Sequence, residues 1–138
     1  GKGGLERLLA LKPGQTCGDL PDHLRPKSYF HFSYSRLVWS EPARTITKFV
    51  YHVGSGQFGH PEEDRAITIR EAARLQSFPD DFRFIGTNEI RALSSLVGSA
   101  VPPLLAAALA RQIAHYLDAL HLASMPLRSS RPAPKRSM

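Results

Sequence analysis

The sequence predicts an α/β (α+β) fragment, a small strand-rich part followed by helices. Phe30, Phe32 and Tyr34 alternate with His31, Ser33 and Ser35, the two-residue period of a strand. Residues 44–53 are dense in β-branched and aromatic side chains: Thr45, Ile46, Thr47, Phe49, Val50, Tyr51 and Val53. Farther on, Leu104, Leu105, Ala108, Leu109, Gln112, Ile113, Tyr116, Leu117 and Leu120 recur every three or four residues, the stripe of an amphipathic helix.

The elements follow in order. Residues 4–11 suit a short helix that Pro13-Gly14 ends. Pro13, Gly14, Gly18, Pro21 and Pro26 make residues 12–28 a loop. The first strand follows at 29–35, then a turn at Ser40-Glu41-Pro42, then the second strand at 44–53. Residues 54–61 form a glycine-rich loop, whose Gly54, Gly56 and Gly59 suit either a flexible turn or close approach to a ligand. Thr68 and Glu71 have the spacing of a capping box, so a helix starts there. Ile69, Ala72 and Leu75 form its apolar face, Arg70 and Arg74 lie one turn apart on another, and Pro79-Asp80 stops it. Residues 80–95 read as irregular, with a short helix at 89–95. Pro102 and Pro103 suit the first turn of the final helix, which runs to about Leu120. This divides the chain into a loop-and-strand part (1–64), a helical part (65–121) and a basic tail (122–138) expected to be disordered.

The 138 residues amount to one small domain or a piece of a larger one. The opening Gly1-Lys2-Gly3-Gly4 suggests a fragment, a processed chain or a cloning remnant. No uninterrupted apolar run reaches the roughly 18 residues of a membrane span, so no membrane partner is expected. A single cysteine, Cys17, excludes an internal disulfide framework and a multi-cysteine zinc site. The net charge of +6 is uneven: residues 1–60 carry eight Lys/Arg against four Asp/Glu, and residues 61–121 six against eight. Arg128, Arg131, Lys135 and Arg136 make the tail basic. A basic front half that also holds His23, His31, His52 and His60 suits either a polyanion or a solvated surface.

Two segments carry a specific resemblance. The first is Arg65-Ala-Ile-Thr-Ile-Arg-Glu-Ala-Ala-Arg-Leu-Gln-Ser-Phe-Pro-Asp80. The second is Val97-Gly98-Ser99-Ala100-Val101-Pro102-Pro103, followed by the apolar helix. In this order and spacing they resemble the last two conserved motifs of the cytosine-5 DNA methyltransferases. Upstream, Ser35-Arg36-Leu37 and Glu41-Pro42-Ala43-Arg44-Thr45-Ile46-Thr47 resemble the end of that family's variable target-recognition region. The likeness runs from about residue 13 to 118.

The resemblance implies a chemistry. In that family a cysteine in a Pro-Cys loop attacks C6 of a cytosine flipped out of duplex DNA. C5 then takes a methyl group from S-adenosylmethionine. Cys17 sits in Gln-Thr-Cys-Gly, without the preceding proline, and reads as a structural cysteine; no catalytic residue is expected in this chain. The family's cofactor-binding glycine loop and its Glu-Asn-Val segment have no counterpart here. The resemblance instead implies cofactor contact at Gly98, Ser99, Ala100 and Val101, with Ser99 where the family usually has Asn. It implies DNA contact at Arg36, Arg44, Thr45, Thr47 and Arg65. Arg70 and Arg74 are expected to pair with Glu71, Asp80, Asp81 or backbone carbonyls, and Phe78 to be core. The final helix would pack on a Rossmann-like S-adenosylmethionine-dependent domain outside this chain, so the implied partners are duplex DNA and an N-terminal catalytic half, in the same chain or in another subunit. Such an enzyme implies the cytoplasm of a prokaryote, beside the nucleoid. A stand-alone DNA-binding module and an inactive remnant are the alternatives. The exposure of the final apolar stripe separates them, because a free-standing module would bury it.

Overall fold

The computed structural model describes residues 2–124. Contacts divide the chain into two compact units, Gly1–Pro103 and Leu104–Met138.

In the first unit, α1 (Lys2–Leu9) buries Leu8 and packs against a 3-10 turn at Val53–Ser55. Leu11, Cys17 and Leu20 form a small apolar cluster with Leu24 and Tyr34 packed on it. Helix α2 (Ile69–Leu75) starts as its capping residues require. The Thr68 hydroxyl accepts from the Glu71 amide at 3.2 Å, and the Glu71 carboxylate accepts from the Thr68 amide at 2.6 Å. Helix α3 (Ile90–Ser99) packs on α2. Between them lies the main core of Ile46, Val50, Phe58, Ile67, Ala72, Ala73 and Val97. Leu37, Ile69, Phe78 and Phe84 cover that core, which bears out Phe78 as a packing residue.

The two strands do not form. Among the described residues pairing is limited to isolated bridges, Arg36 with Gly59 and Gly59 with Ala66. Residues 30–35 turn instead: the Ser33 amide donates to the Phe30 carbonyl and the Ser35 amide to that of Phe32. The serine hydroxyl supplies the competing local bond, since Ser33 Oγ accepts from the Phe30 amide at 3.2 Å. The expected faces are inverted, with Ser33 and Ser35 buried and Phe30 77% exposed. Residues 44–53 likewise pass from extended chain into turns closed by bonds from Val50 to Thr47 and from His52 to Phe49. A run of β-formers becomes a strand only where a neighbouring edge accepts its backbone bonds. Here the Lys48 carbonyl is taken by a side chain of α3 instead.

Helix α3 also runs farther than the expected 89–95, so Gly98 and Ser99 form its last turn and Ala100 its C-cap. In the second unit, α4 begins at Pro103, as the prolines predict, and continues to Ser124. The helix therefore takes in the first residues of the expected tail, and the rest of that tail lies outside the described residues. Leu104, Leu105, Leu109, Ile113, Tyr116, Leu117 and Leu120 are all about half exposed or more. Residues 90–120, which span α3, the Pro102-Pro103 break and α4, are also long and apolar enough to cross a membrane by composition.

Candidate functional site

The five DNA candidates separate into two groups. Arg44 and Thr45 are exposed and Thr47 is partly so, on one extended segment. The Arg44 guanidinium lies over the Phe32 ring, 3.3 Å from its centre. This holds the cation at the surface without neutralising it. Lys48, also exposed, continues the segment. Sequence reading passed over Lys48, although its place beside Thr47 was signal enough.

Arg36 and Arg65 serve the protein itself. Arg36 is 5% exposed and spends all five of its N–H donors within the chain. Nε donates to the Leu11 carbonyl at 3.0 Å. Nη1 reaches the His60 and Glu63 carbonyls at 3.1 and 2.8 Å. Nη2 reaches the Leu8 carbonyl at 3.2 Å and Asp64 Oδ1 at 2.6 Å. Its role is therefore corrected from a DNA contact to a clamp joining α1, the bridge at Gly59 and the 60–64 turn. Arg65 is bidentate on Glu71, at 2.8 and 2.9 Å, and binds Glu63 at 2.7 Å. These carboxylates raise its pKa further above an already high value, while Arg65 pulls that of Glu71 down to about 2. Arg65 thereby anchors the start of α2, with its side chain about a third exposed. Arg74 pairs with Asp80 and Arg70 donates to the Phe82 carbonyl, the structural roles expected of both.

The four cofactor candidates also divide. Ser99 and Val101 are exposed, and Ala100 is partly so. Gly98 is turned to a different purpose. A Cβ there would fall on the carbonyl carbon and oxygen of Thr47 and on the Lys48 nitrogen. Its missing side chain thus admits backbone of the same chain, which corrects the expectation that it admits a ligand. One turn earlier, the fully buried Ser94 donates to the Lys48 carbonyl at 2.7 Å. Gln76, at the end of α2, donates to the Val97 carbonyl at 2.6 Å. No feature of the sequence points to Ser94, because its partner is 46 residues away. Gly59 behaves like Gly98: a side chain would strike Leu8 and the Ser35 carbonyl, so base readout is not what this glycine is for.

Cys17 is fully buried, and desolvation pushes its thiol up from the ordinary value. That direction disfavours the thiolate a nucleophile needs. A cavity of about 430 Å³ is walled by Leu37, Trp39, Ala43, His60, Ile67 and Leu75 among others, and by none of the expected DNA or cofactor residues. Among the described residues no cluster of His, Cys, Asp or Glu is placed to hold a metal ion.

Residues 21–115 match the family model of the C-5 cytosine-specific DNA methylases. The chain is 38% identical over 126 residues to the type II methylase M.HgiDII of Herpetosiphon aurantiacus, covering 85% of this chain and 36% of that protein. It is 41% identical to the type II methyltransferase M1.HphI of Haemophilus parahaemolyticus, covering 79% of this chain and 27% of that one. It therefore spans about a third of the length of these relatives. A third relative, the type II methyltransferase M.AquIB of Picosynechococcus, is 37% identical, with 82% of this chain and 81% of that protein covered, so the two are of similar length.

Proposed function

This chain belongs to the C-5 cytosine-specific DNA methylase family, and from that premise we propose that it is the DNA-reading and pocket-closing part of a DNA (cytosine-5-)-methyltransferase, corresponding to the family's C-terminal portion. The observation that carries this reading is the family match over residues 21–115 in a chain that spans about a third of its first relatives. The apolar stripe of α4, with seven large side chains from Leu104 to Leu120, suits packing on a further apolar surface. The partner is the catalytic remainder of the enzyme, with its Rossmann-like domain, either in the same polypeptide or in another subunit. Arg111, His115 and Asp118 on the same helix favour a protein partner over a lipid one. Like the bacterial type II relatives, the assembly works on DNA, and its setting is the cytoplasm of a prokaryote.

Each part then has a task. Arg44 and Lys48 supply positive charge to the DNA backbone, and Thr45 and Thr47 supply short hydroxyls that donate to phosphate oxygens. These contacts position the duplex while the target base is out of the stack. The exposed Ser99 hydroxyl, with Ala100 and Val101, fits one wall of an S-adenosylmethionine site, having one polar group and two apolar ones. S-adenosylmethionine supplies the electrophilic methyl group. The nucleophilic cysteine belongs to the remainder of the enzyme, since Cys17 is sealed in a core cluster.

The test is complementation. The chain alone is expected to transfer no methyl group from S-adenosylmethionine to duplex DNA. Mixed with a matching N-terminal half that carries the Pro-Cys loop, it is expected to do so. A folded mixture that stays inactive would overturn the assembly. Methyl transfer by the chain alone would overturn the division of labour.

A further inference from the structure

The segment assigned to DNA and the segment assigned to the cofactor are tied to the same turn of one helix. We propose that Ser94 and Gly98 are positioning residues that couple DNA binding to cofactor binding, with the last turns of α3 as the rigid link. This rests on the functional reading above, which places DNA at Thr47–Lys48 and S-adenosylmethionine at Ser99–Val101.

Ser94 and Gly98 are four residues apart and share a face of α3. They hold consecutive peptides of one segment: Gly98 lies against the Thr47–Lys48 peptide, and the Ser94 hydroxyl donates to the Lys48 carbonyl, in the next peptide, at 2.7 Å. The adjoining side of that turn is also held. Val97 is fully buried in the main core, and its carbonyl accepts from Gln76 of the α2 C-cap. Packing and hydrogen bonds thus tie the helix end to both the 47–48 backbone and α2, and residue 99 follows Gly98 directly. Packed interiors transmit displacements instead of absorbing them. Phosphate contacts that draw the 47–48 backbone into register therefore set the position of Ser99, Ala100 and Val101. The coupling is reciprocal, so cofactor on residues 99–101 favours the same register of Thr47.

The experiment uses the assembled enzyme. Bisulfite sequencing of DNA methylated by the wild type identifies its site, and a short duplex bearing that site is the DNA probe. S-adenosylhomocysteine, the demethylated product, is the cofactor probe. Its Kd is measured by titration calorimetry with and without the duplex. In the wild type the duplex is expected to tighten S-adenosylhomocysteine at least about fivefold, at the low end of common coupling factors. In Ser94→Ala that factor falls below about twofold, while the Kd without DNA stays within about twofold of wild type. Ser94→Cys, which restores a weaker donor of similar size, recovers an intermediate factor. Gly98→Ala, if it folds, behaves like Ser94→Ala, and Ser94→Ala alone decides the matter if it does not. A Ser94→Ala enzyme that keeps the wild-type factor overturns the proposal, as does a wild type in which the two ligands bind independently. An assembled wild type that methylates no DNA refutes the functional reading itself, and the proposal falls with it.

Discussion

Replacing Arg36 separates a structural arginine from a DNA-binding one. Its guanidinium gives five hydrogen bonds, four to backbone carbonyls and one to Asp64. Arg36→Ala leaves the Leu11 carbonyl without this donor in a buried setting, while the Leu8 carbonyl keeps the Leu11 amide. Such an orphan costs about 1–3 kcal/mol. The His60 carbonyl is less enclosed and partly recovers water, the Glu63 carbonyl keeps the Arg65 amide, and Asp64 is exposed enough that its ion pair adds at most about 1 kcal/mol. The sum is about 3 kcal/mol, a sizeable part of the roughly 5–15 kcal/mol by which domains are stable. Arg36→Lys keeps the charge, but three rotatable donors cannot reproduce a five-pronged fork, and about 2 kcal/mol is lost. Urea unfolding followed by circular dichroism measures this. At a slope of about 1–3 kcal/mol per molar, the Lys variant lowers the midpoint by roughly 1 M and the Ala variant by about one and a half times that. DNA binding by the assembled Lys variant should keep the wild-type salt slope, because no phosphate contact is lost. The clamp is refuted if Arg36→Ala unfolds at the wild-type midpoint while the salt slope of DNA binding falls by about 0.9, the signature of one phosphate.

Further outcomes follow from the same geometry. Thr47→Ala in the assembled enzyme should weaken DNA several-fold with little change in the urea midpoint; unchanged affinity in a gel-shift titration would remove Thr47 from the DNA face. Glu71 titrates at about 2 in the folded chain, below its ordinary 4.5, so its stabilising contribution is complete above about pH 4.5 and is lost as pH falls through 2. After discounting for its partial exposure, Glu71→Gln should cost on the order of 1–2 kcal/mol at pH 7, and urea melts across pH 2–7 should show the gap to wild type closing at the acid end. Leu109→Asp with Ile113→Asp should leave the chain soluble but abolish complementation by the catalytic half, read as methyl incorporation. Cys17→Ser should keep the activity of the assembled enzyme, and the wild-type thiol should react with a thiol reagent far more slowly than in urea.

The elements that local chemistry specifies were legible in the sequence. Thr68 and Glu71 meet within one turn, so the capping box that starts α2 needs no distant partner. Pro102-Pro103 and the apolar repeat after it likewise showed the start of α4 and its course to about Leu120, because propensity and periodicity are local. The family, too, was written in two short segments whose order and spacing survive in a linear reading.

Tertiary structure decided whatever depends on partners far along the chain. Residues 29–35 and 44–53 have the composition of strands, yet a strand is a relation between two edges, and the Lys48 carbonyl is taken by Ser94. Arg36 reads as a free cation until carbonyls from residues 8, 11, 60 and 63 converge on it. Gly98 reads as room for a ligand until the Thr47–Lys48 peptide occupies that room. Hydrogen-bond donors and missing side chains are visible in a sequence, but what they meet is fixed only when the backbone closes on itself.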